Sequence, residues 1–176
     1  MSKKCVFLDR DGILNKDKGY VFNLSKIIWR RNIFKLIEFL KKNKFLICVV
    51  TNQSGIARGL FKNSDVIKLH KEMNYIIKKK TSFKIDKFYY CPFYEKGVIK
   101  KYSKKSILRK PHPGMVIKYI KKKKLKKKNC IMFGDREIDL ICAKNAGIQG
   151  YKVKYNMDIF KFVKTKILKN FKFKAY

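Results

Sequence analysis

Short apolar runs alternate along this chain with longer segments whose apolar residues recur every three or four positions. The two periods predict strands and helices in turn. Residues 5–8 read as a first strand. Segment 32–43 places Ile33, Leu36, Ile37 and Leu40 on one helical face. Residues 45–50 form a β-rich run, the signature of a strand buried on both sides. A helix is expected over 64–80, with Ser64 as its capping residue. Residues 87–90 suit a short strand, and 113–123 a helix with proline near its first turn. Residues 130–133 suit a strand, 138–145 a helix stopped by Gly147, and 151–153 a last core strand. The tail from Asn156 mixes Phe, Ile and Lys, and a final helix is the expectation there. Strands alternating with helices predict an α/β fold, a Rossmann-like parallel sheet with helices on both faces. Neither a repeat nor a flexible linker interrupts it. One domain over 1–155 is expected, with 156–176 a basic tail of the same domain.

The residues at the ends of three of these strands add chemistry to that outline. Val6-Phe7-Leu8-Asp9-Arg10-Asp11-Gly12 carries an apolar run into two carboxylates and a glycine turn. Residues 45–50 run into Thr51 and Asn52, and 130–133 run into Gly134 and Asp135. In a parallel sheet all three ends open on one edge, where open α/β folds place their ligands. Aspartate is poor in strands and costly to bury unpaired, so acids here suggest a metal or a reaction. Taken alone, the first segment also fits a strand followed by an Asp-Gly turn.

Composition narrows the partners. The 176 residues carry a formal net charge of +34, a field that would attract nucleic acid or an anionic membrane. The excess is nearly all lysine, beside abundant Ile, Asn, Phe and Tyr, the residues that an AT-rich coding sequence favours. Runs such as 121–124 and 126–128 fall where a solvated helix face and loop would lie. Compositional drift therefore explains the charge better than a dedicated nucleic-acid surface. A phosphorylated substrate would still profit from the field. The five cysteines (Cys5, Cys48, Cys91, Cys130, Cys142) are odd in number and show no CxxC spacing, which suits a reducing compartment. No apolar run approaches the roughly 18 residues of a membrane span. Met1-Ser2-Lys3-Lys4 runs straight into the first strand and leaves no room for a signal peptide, so a cytoplasmic location is expected.

Several blocks in order carry a resemblance. They are Phe7-Leu8-Asp9-Arg10-Asp11-Gly12, Asp17-Lys18-Gly19-Tyr20, Thr51-Asn52-Gln53-Ser54-Gly55-Ile56-Ala57-Arg58-Gly59, Tyr89-Tyr90-Cys91-Pro92, Arg109-Lys110-Pro111-His112-Pro113-Gly114-Met115 and Gly134-Asp135. Together they resemble the haloacid dehalogenase superfamily of aspartyl-phosphate phosphatases. Within it they resemble the D-glycero-D-manno-heptose 1,7-bisphosphate 7-phosphatase family, with its histidinol-phosphatase relatives. The resemblance covers nearly everything from Cys5 to about Lys154.

The resemblance implies a haloacid dehalogenase-like fold without a large cap domain, Mg²⁺-dependent hydrolysis of a sugar bisphosphate and a role in heptose supply for lipopolysaccharide or another surface glycan. It implies Asp9 as the nucleophile that becomes phosphorylated and Asp11 as the acid that protonates the leaving oxygen. Mg²⁺ would be held by the side chains of Asp9 and Asp135 and the backbone carbonyl of Asp11. Thr51 and Asn52 would hydrogen-bond the phosphoryl oxygens, and Lys110 would stabilise nucleophile and transition state. Substrate contacts would come from Asp17, Lys18, Gly19, Tyr20, Thr51, Asn52, Gln53, Ser54, Arg109, Lys110 and Arg136. Tyr20 also suits a core aromatic, and Arg58 a solvated loop charge. Asp139, one helical turn after Asp135, suits either a brace for the metal site or a surface acid. His70 suits a helix face, and His112 a structural place in its block.

One departure stands out. Members of the family typically carry a structural zinc on a Cys-x-His … Cys-x-Cys pattern. Here Cys91 keeps the first position, while Phe93, Ser106 and Leu108 occupy the others. One thiolate cannot make a tetrahedral site, so no zinc is expected. An apolar cluster of Phe93 and Leu108 with Tyr94, Tyr102 and Ile107 is the expected substitute. Each buried side chain would add roughly 1.5–3 kcal/mol, against about 10 for a structural zinc in small peptides. The partner expected is a small sugar phosphate, with no membrane and no nucleic acid despite the charge, and the protein is expected to be a monomer. Alternatives are a histidinol-phosphate or relaxed phosphatase, a polynucleotide 3′-phosphatase, and a non-catalytic anion-binding domain.

Overall fold

The computed structural model describes residues 3–171. Met1, Ser2 and positions 172–176 of the expected tail lie outside them. Five strands form the sheet: β1 (Lys4–Leu8), β2 (Phe45–Asn52), β3 (Lys87–Cys91), β4 (Cys130–Gly134) and β5 (Gln149–Lys152). All pairings are parallel, in the order β3-β2-β1-β4-β5. Five α-helices join them: α1 (Ile33–Lys42), α2 (Asn63–Thr81), α3 (Gly114–Lys123), α4 (Glu137–Ala146) and α5 (Ile159–Asn170). Strand order runs outward in both directions from β1, and that reversal opens a crevice beyond the carboxyl end of β1.

The pleat of β1 divides the core. Val6 and Leu8 face one layer, which includes Leu36 and Ile37 of α1, Met73 of α2 and Val163 of α5. Cys5 and Phe7 face the other, with Val116 and Tyr119 of α3 and Ala143 of α4. Both faces are buried, so β1 reads as a continuous apolar run rather than an alternating one.

Several boundaries differ from the sequence reading for local reasons. Strand β2 extends to Asn52 because Thr51 and Asn52 pair with Tyr90 and Cys91 of β3. Helix α2 begins at Asn63, not Ser64. Its cap is the Asp65 carboxylate, which accepts the Lys62 N–H at 2.7 Å. Strand β5 is shifted to Gln149–Lys152, and Val153 follows it by donating its N–H to the Gly134 carbonyl. Between 156 and 171 the chain contributes to the core. Ile159, Val163 and Ile167 of α5 are buried, and Asp158 caps that helix while accepting from Asn32 at 2.7 Å. All five cysteines are free and buried. Among the described residues no helix is long and apolar enough to cross a membrane.

The loop 92–109 keeps part of its expected cluster, with the Phe93 and Tyr102 rings 6.0 Å apart, and departs from the rest. Phe93 and Leu108 pack against the α3 layer, and Tyr102 packs against Ile56, Phe61 and Val66. Ile107 is 75 % exposed and takes no part. The loop is stitched instead by backbone: Val98 and Ile99 both donate to the Ala57 carbonyl, at 2.8 and 3.0 Å. Gly97 allows that approach, since a Cβ there would stand 2.7 Å from the same oxygen.

Candidate active site

The chain continues from β1 into Asp9, whose N–H donates to the Phe133 carbonyl of β4 at 3.1 Å. A tight turn follows, with Gly12 at φ +82. A Cβ on Gly12 would lie 2.1 Å from Oδ2 of Asp135, so glycine is needed twice over, for the backbone and for the carboxylate beside it. These ends surround a cavity of about 260 Å³ lined by Asp9, Asp11, Asp17, Gly19, Tyr20, Thr51, Asn52, Gln53, Ser54, Arg109, Lys110, Arg136 and Ile138.

Buried charge organises its floor. Lys110 Nζ lies 2.9 Å from Asp9 Oδ2 and 2.6 Å from Asp139 Oδ1, and all three residues are buried. Burial alone would lower the Lys110 pKa, but the two carboxylates outweigh it and push the value up to about 12. Burial raises Asp9 to about 7, with Lys110 opposing and Asp139 adding to the rise. Asp9 Oδ1 also accepts the Arg10 N–H at 2.7 Å. The other oxygen of Asp139 accepts the Arg136 N–H at the start of α4. Asp139 is therefore neither a surface acid nor only a metal brace; it is the second partner of Lys110. Asn52 holds the Lys110 backbone in both directions, Nδ2 to the carbonyl and Oδ1 from the N–H, each 3.0 Å.

Asp11 sits in a second network. Arg10 reaches it through Nε and Nη2 at 2.9–3.2 Å, Asn15 through Nδ2 at 2.9 Å and Gln53 through Nε2 at 3.0 Å. The same Gln53 nitrogen donates to the Thr51 hydroxyl oxygen, which leaves the hydroxyl proton for an incoming acceptor. Arg10 is fully buried. Its Nη2 also donates to the Val21 carbonyl, and its Nη1 meets His70 Nε2 at 3.4 Å. Burial, then Arg10, lowers the His70 pKa to about 3, so a neutral ring accepts that bond. His70 thus lies on a helix face, as expected, and that face of α2 is buried, where the ring supports Arg10.

At the rim, Arg136 pairs with Asp17, which raises the Arg136 pKa. Tyr20 is 49 % exposed and lines the cavity, which excludes a core role. Lys18 is exposed and is not among the lining residues. His112 is exposed, and its backbone carbonyl accepts from Cys142 Sγ. Sequence reasoning did not single out Asn15, Arg10 as a support, or Ile138. Only the spacing of Asn15, one turn after Asp11, offered a signal.

The donors fit a hard divalent cation. Oxygens of Asp9, Asp135 and Asp139 lie within 4.8 Å of one another. Asp139 is committed to Lys110 and Arg136, but Asp135 Oδ1 is buried without a hydrogen-bond partner. An all-oxygen set with an unsatisfied carboxylate suits Mg²⁺. Burial also raises the Asp135 pKa, a penalty that a cation would relieve. Zinc does not fit the rim: Phe93 and Leu108 offer no ligand atom, and Cys91 Sγ faces the Phe93 carbonyl at 3.9 Å.

The chain as a whole is similar to known phosphatases. Residues 93–153 match the haloacid dehalogenase-like hydrolase family model. The D-glycero-β-D-manno-heptose-1,7-bisphosphate 7-phosphatase of Haemophilus ducreyi is 38% identical over 85% of this chain and 81% of its own length. The α-anomer enzyme of Campylobacter jejuni is 39% identical over 84% of this chain and 80% of its own. The D,D-heptose 1,7-bisphosphate phosphatase of B. bronchiseptica, solved with magnesium and phosphate, superposes with a TM-score of 0.77 at 25% identity, covering 93% of this chain and 86% of that one. The chain belongs to the D-glycero-D-manno-heptose 1,7-bisphosphate 7-phosphatase family, phosphoric monoester hydrolases of the haloacid dehalogenase superfamily.

Proposed function

We propose that this enzyme removes the 7-phosphate of a D-glycero-D-manno-heptose 1,7-bisphosphate in the cytoplasm, supplying heptose precursors for a surface glycan such as lipopolysaccharide. The observation that carries the reading is the Asp9–Lys110 pair, 2.9 Å apart at the floor of the cavity beside the unpartnered oxygen of Asp135. A carboxylate oxygen of Asp9 bonds to phosphorus as the bond to the C7 oxygen breaks. Asp11 gives that oxygen its proton, releasing the 7-hydroxyl. Asp11 then takes a proton from water as the water oxygen attacks phosphorus, which releases inorganic phosphate and restores Asp9. Lys110 stays charged throughout and offsets the negative charge on nucleophile and phosphoryl group. Thr51 and Asn52 donate to phosphoryl oxygens. Asp9, Asp135 and the Asp11 carbonyl would hold Mg²⁺, which neutralises part of the phosphate dianion when bound. Asp17, Gly19, Tyr20, Gln53, Ser54, Arg109 and Arg136 line the space left for the sugar and its second phosphate, with Lys18 outside it.

Phosphate release tests this on both anomers of heptose 1,7-bisphosphate and on histidinol phosphate, each with Mg²⁺ and with a chelator. Turnover of a heptose anomer that is strongly preferred and lost with chelator is the expected result. Preference for histidinol phosphate, or equal turnover with chelator, would overturn it.

A further inference from the structure

The loop ending at Arg109 carries Phe93, Ser106 and Leu108 beside Cys91, which is no metal-ligand set, so other contacts must aim Arg109 into the cavity. Two contacts aim it. Arg109 Nη1 donates to the Phe93 carbonyl at 3.2 Å, and its guanidinium carbon lies 5.0 Å from the centre of the Tyr94 ring. The same ring carries a second guanidinium, that of Arg58, at 4.1 Å. Arg58 comes from the segment after β2, where its N–H donates to the Ser54 carbonyl at 3.0 Å. Its buried Nε has no hydrogen-bond partner, so the ring face is its principal polar contact. Among the described residues neither Arg58 nor Arg109 has a carboxylate partner, whereas Arg136 is tied to Asp17 and Lys110 to Asp9 and Asp139.

From this geometry we infer that Tyr94 is a positioning residue that sets substrate specificity: its ring holds Arg109 ready for the substrate phosphate that is not hydrolysed. The inference rests on the bisphosphatase reading above. A bisphosphate places one dianion on the floor beside Lys110 and needs a second cation for the other. Arg109 lines the cavity and has its charge uncommitted. An aromatic face orients a guanidinium without neutralising it, as a carboxylate would.

The test compares Tyr94→Leu, Tyr94→Met and Tyr94→Phe with the parent on heptose 1,7-bisphosphate and on heptose 7-phosphate, which lacks the second phosphate. Loss of the ring should raise KM for the bisphosphate about 5- to 10-fold, with kcat within about twofold, in keeping with a contact of this strength. KM for the monophosphate should hold, and Tyr94→Phe should restore the parent values. Two ringless variants are used so that a folding failure in one leaves the other to decide. An equal change on both substrates, no change on either, or no recovery in Tyr94→Phe would overturn the inference. One equivalent of zinc in the purified parent would do the same. A parent inactive on the bisphosphate would instead refute the functional reading.

Discussion

At the carboxyl ends of β1, β2 and β4 the functional side chains are fixed by charge. Lys110 joins Asp9 to Asp139, Arg10 grips Asp11, and each group is buried or nearly so. Across the cavity the 92–109 loop is fixed by weaker and more numerous contacts. Two N–H groups share the Ala57 carbonyl, Phe93 and Leu108 pack on the α3 layer, and Tyr94 stacks with two arginines. Removing one member of a buried charge network strands the others, so each member must stay. A rim built from apolar and cation–π contacts keeps kcat nearly unchanged when one is exchanged, and the loss appears in KM. The difference separates a floor held by paired, buried charge from a rim held by packing.

Substitutions test that contrast. The largest effect should come from Asp9→Asn, with kcat falling about 10³-fold or more. Activity retained within tenfold would break the account of the floor. Next, Lys110→Met should destabilise the protein by about 3–5 kcal/mol in urea unfolding, because Asp9 and Asp139 are left buried and uncompensated. A loss below 1 kcal/mol would mean that the pair is not buried charge.

His70 gives a smaller, pH-dependent effect. Its native pKa lies near 3, below the 6.5 of a free ring. Between those values the unfolded chain takes up a proton that the native ring refuses, so this contribution to stability falls as pH drops through the window. The slope approaches about 1.4 kcal/mol per pH unit. His70→Gln keeps an acceptor for Arg10 and titrates nothing, so its deficit relative to the parent should narrow from pH 7 to pH 4. Parallel stability curves would rule this out. The smallest effect belongs to the rim. Phe93→Ala should cost about 1.5 kcal/mol and alter kcat less than threefold. A collapse of activity there would erase the distinction between rim and floor.

What the sequence made legible follows the same division. The carboxylates at strand ends and the Thr51-Asn52 pair lie where period and residue type announce a sheet edge, whereas Lys110 was legible only through the resemblance of its block to the family. Asp139 was visible as a residue but not as a partner of Lys110, because the bond spans distant parts of the chain. The same holds for Arg10 and His70, 60 positions apart. Tyr94 looked apolar because neither period nor composition brings Arg58 beside it. Helix α5 was half legible: its apolar spacing survives beneath the lysines, but its packing on α1 depends on the Asn32–Asp158 bond across 126 positions.

The two-way grip of Asn52 on the Lys110 backbone has a consequence for chemical ageing. An amide can serve a neighbouring N–H and C=O together only because one end donates and the other accepts. Loss of ammonia from Asn52 would turn the donating end into an oxygen facing the Lys110 carbonyl and add a negative charge beside the cavity. The damage would loosen Lys110 from its tether while the sheet beneath keeps its pairing, so activity would fall further than stability.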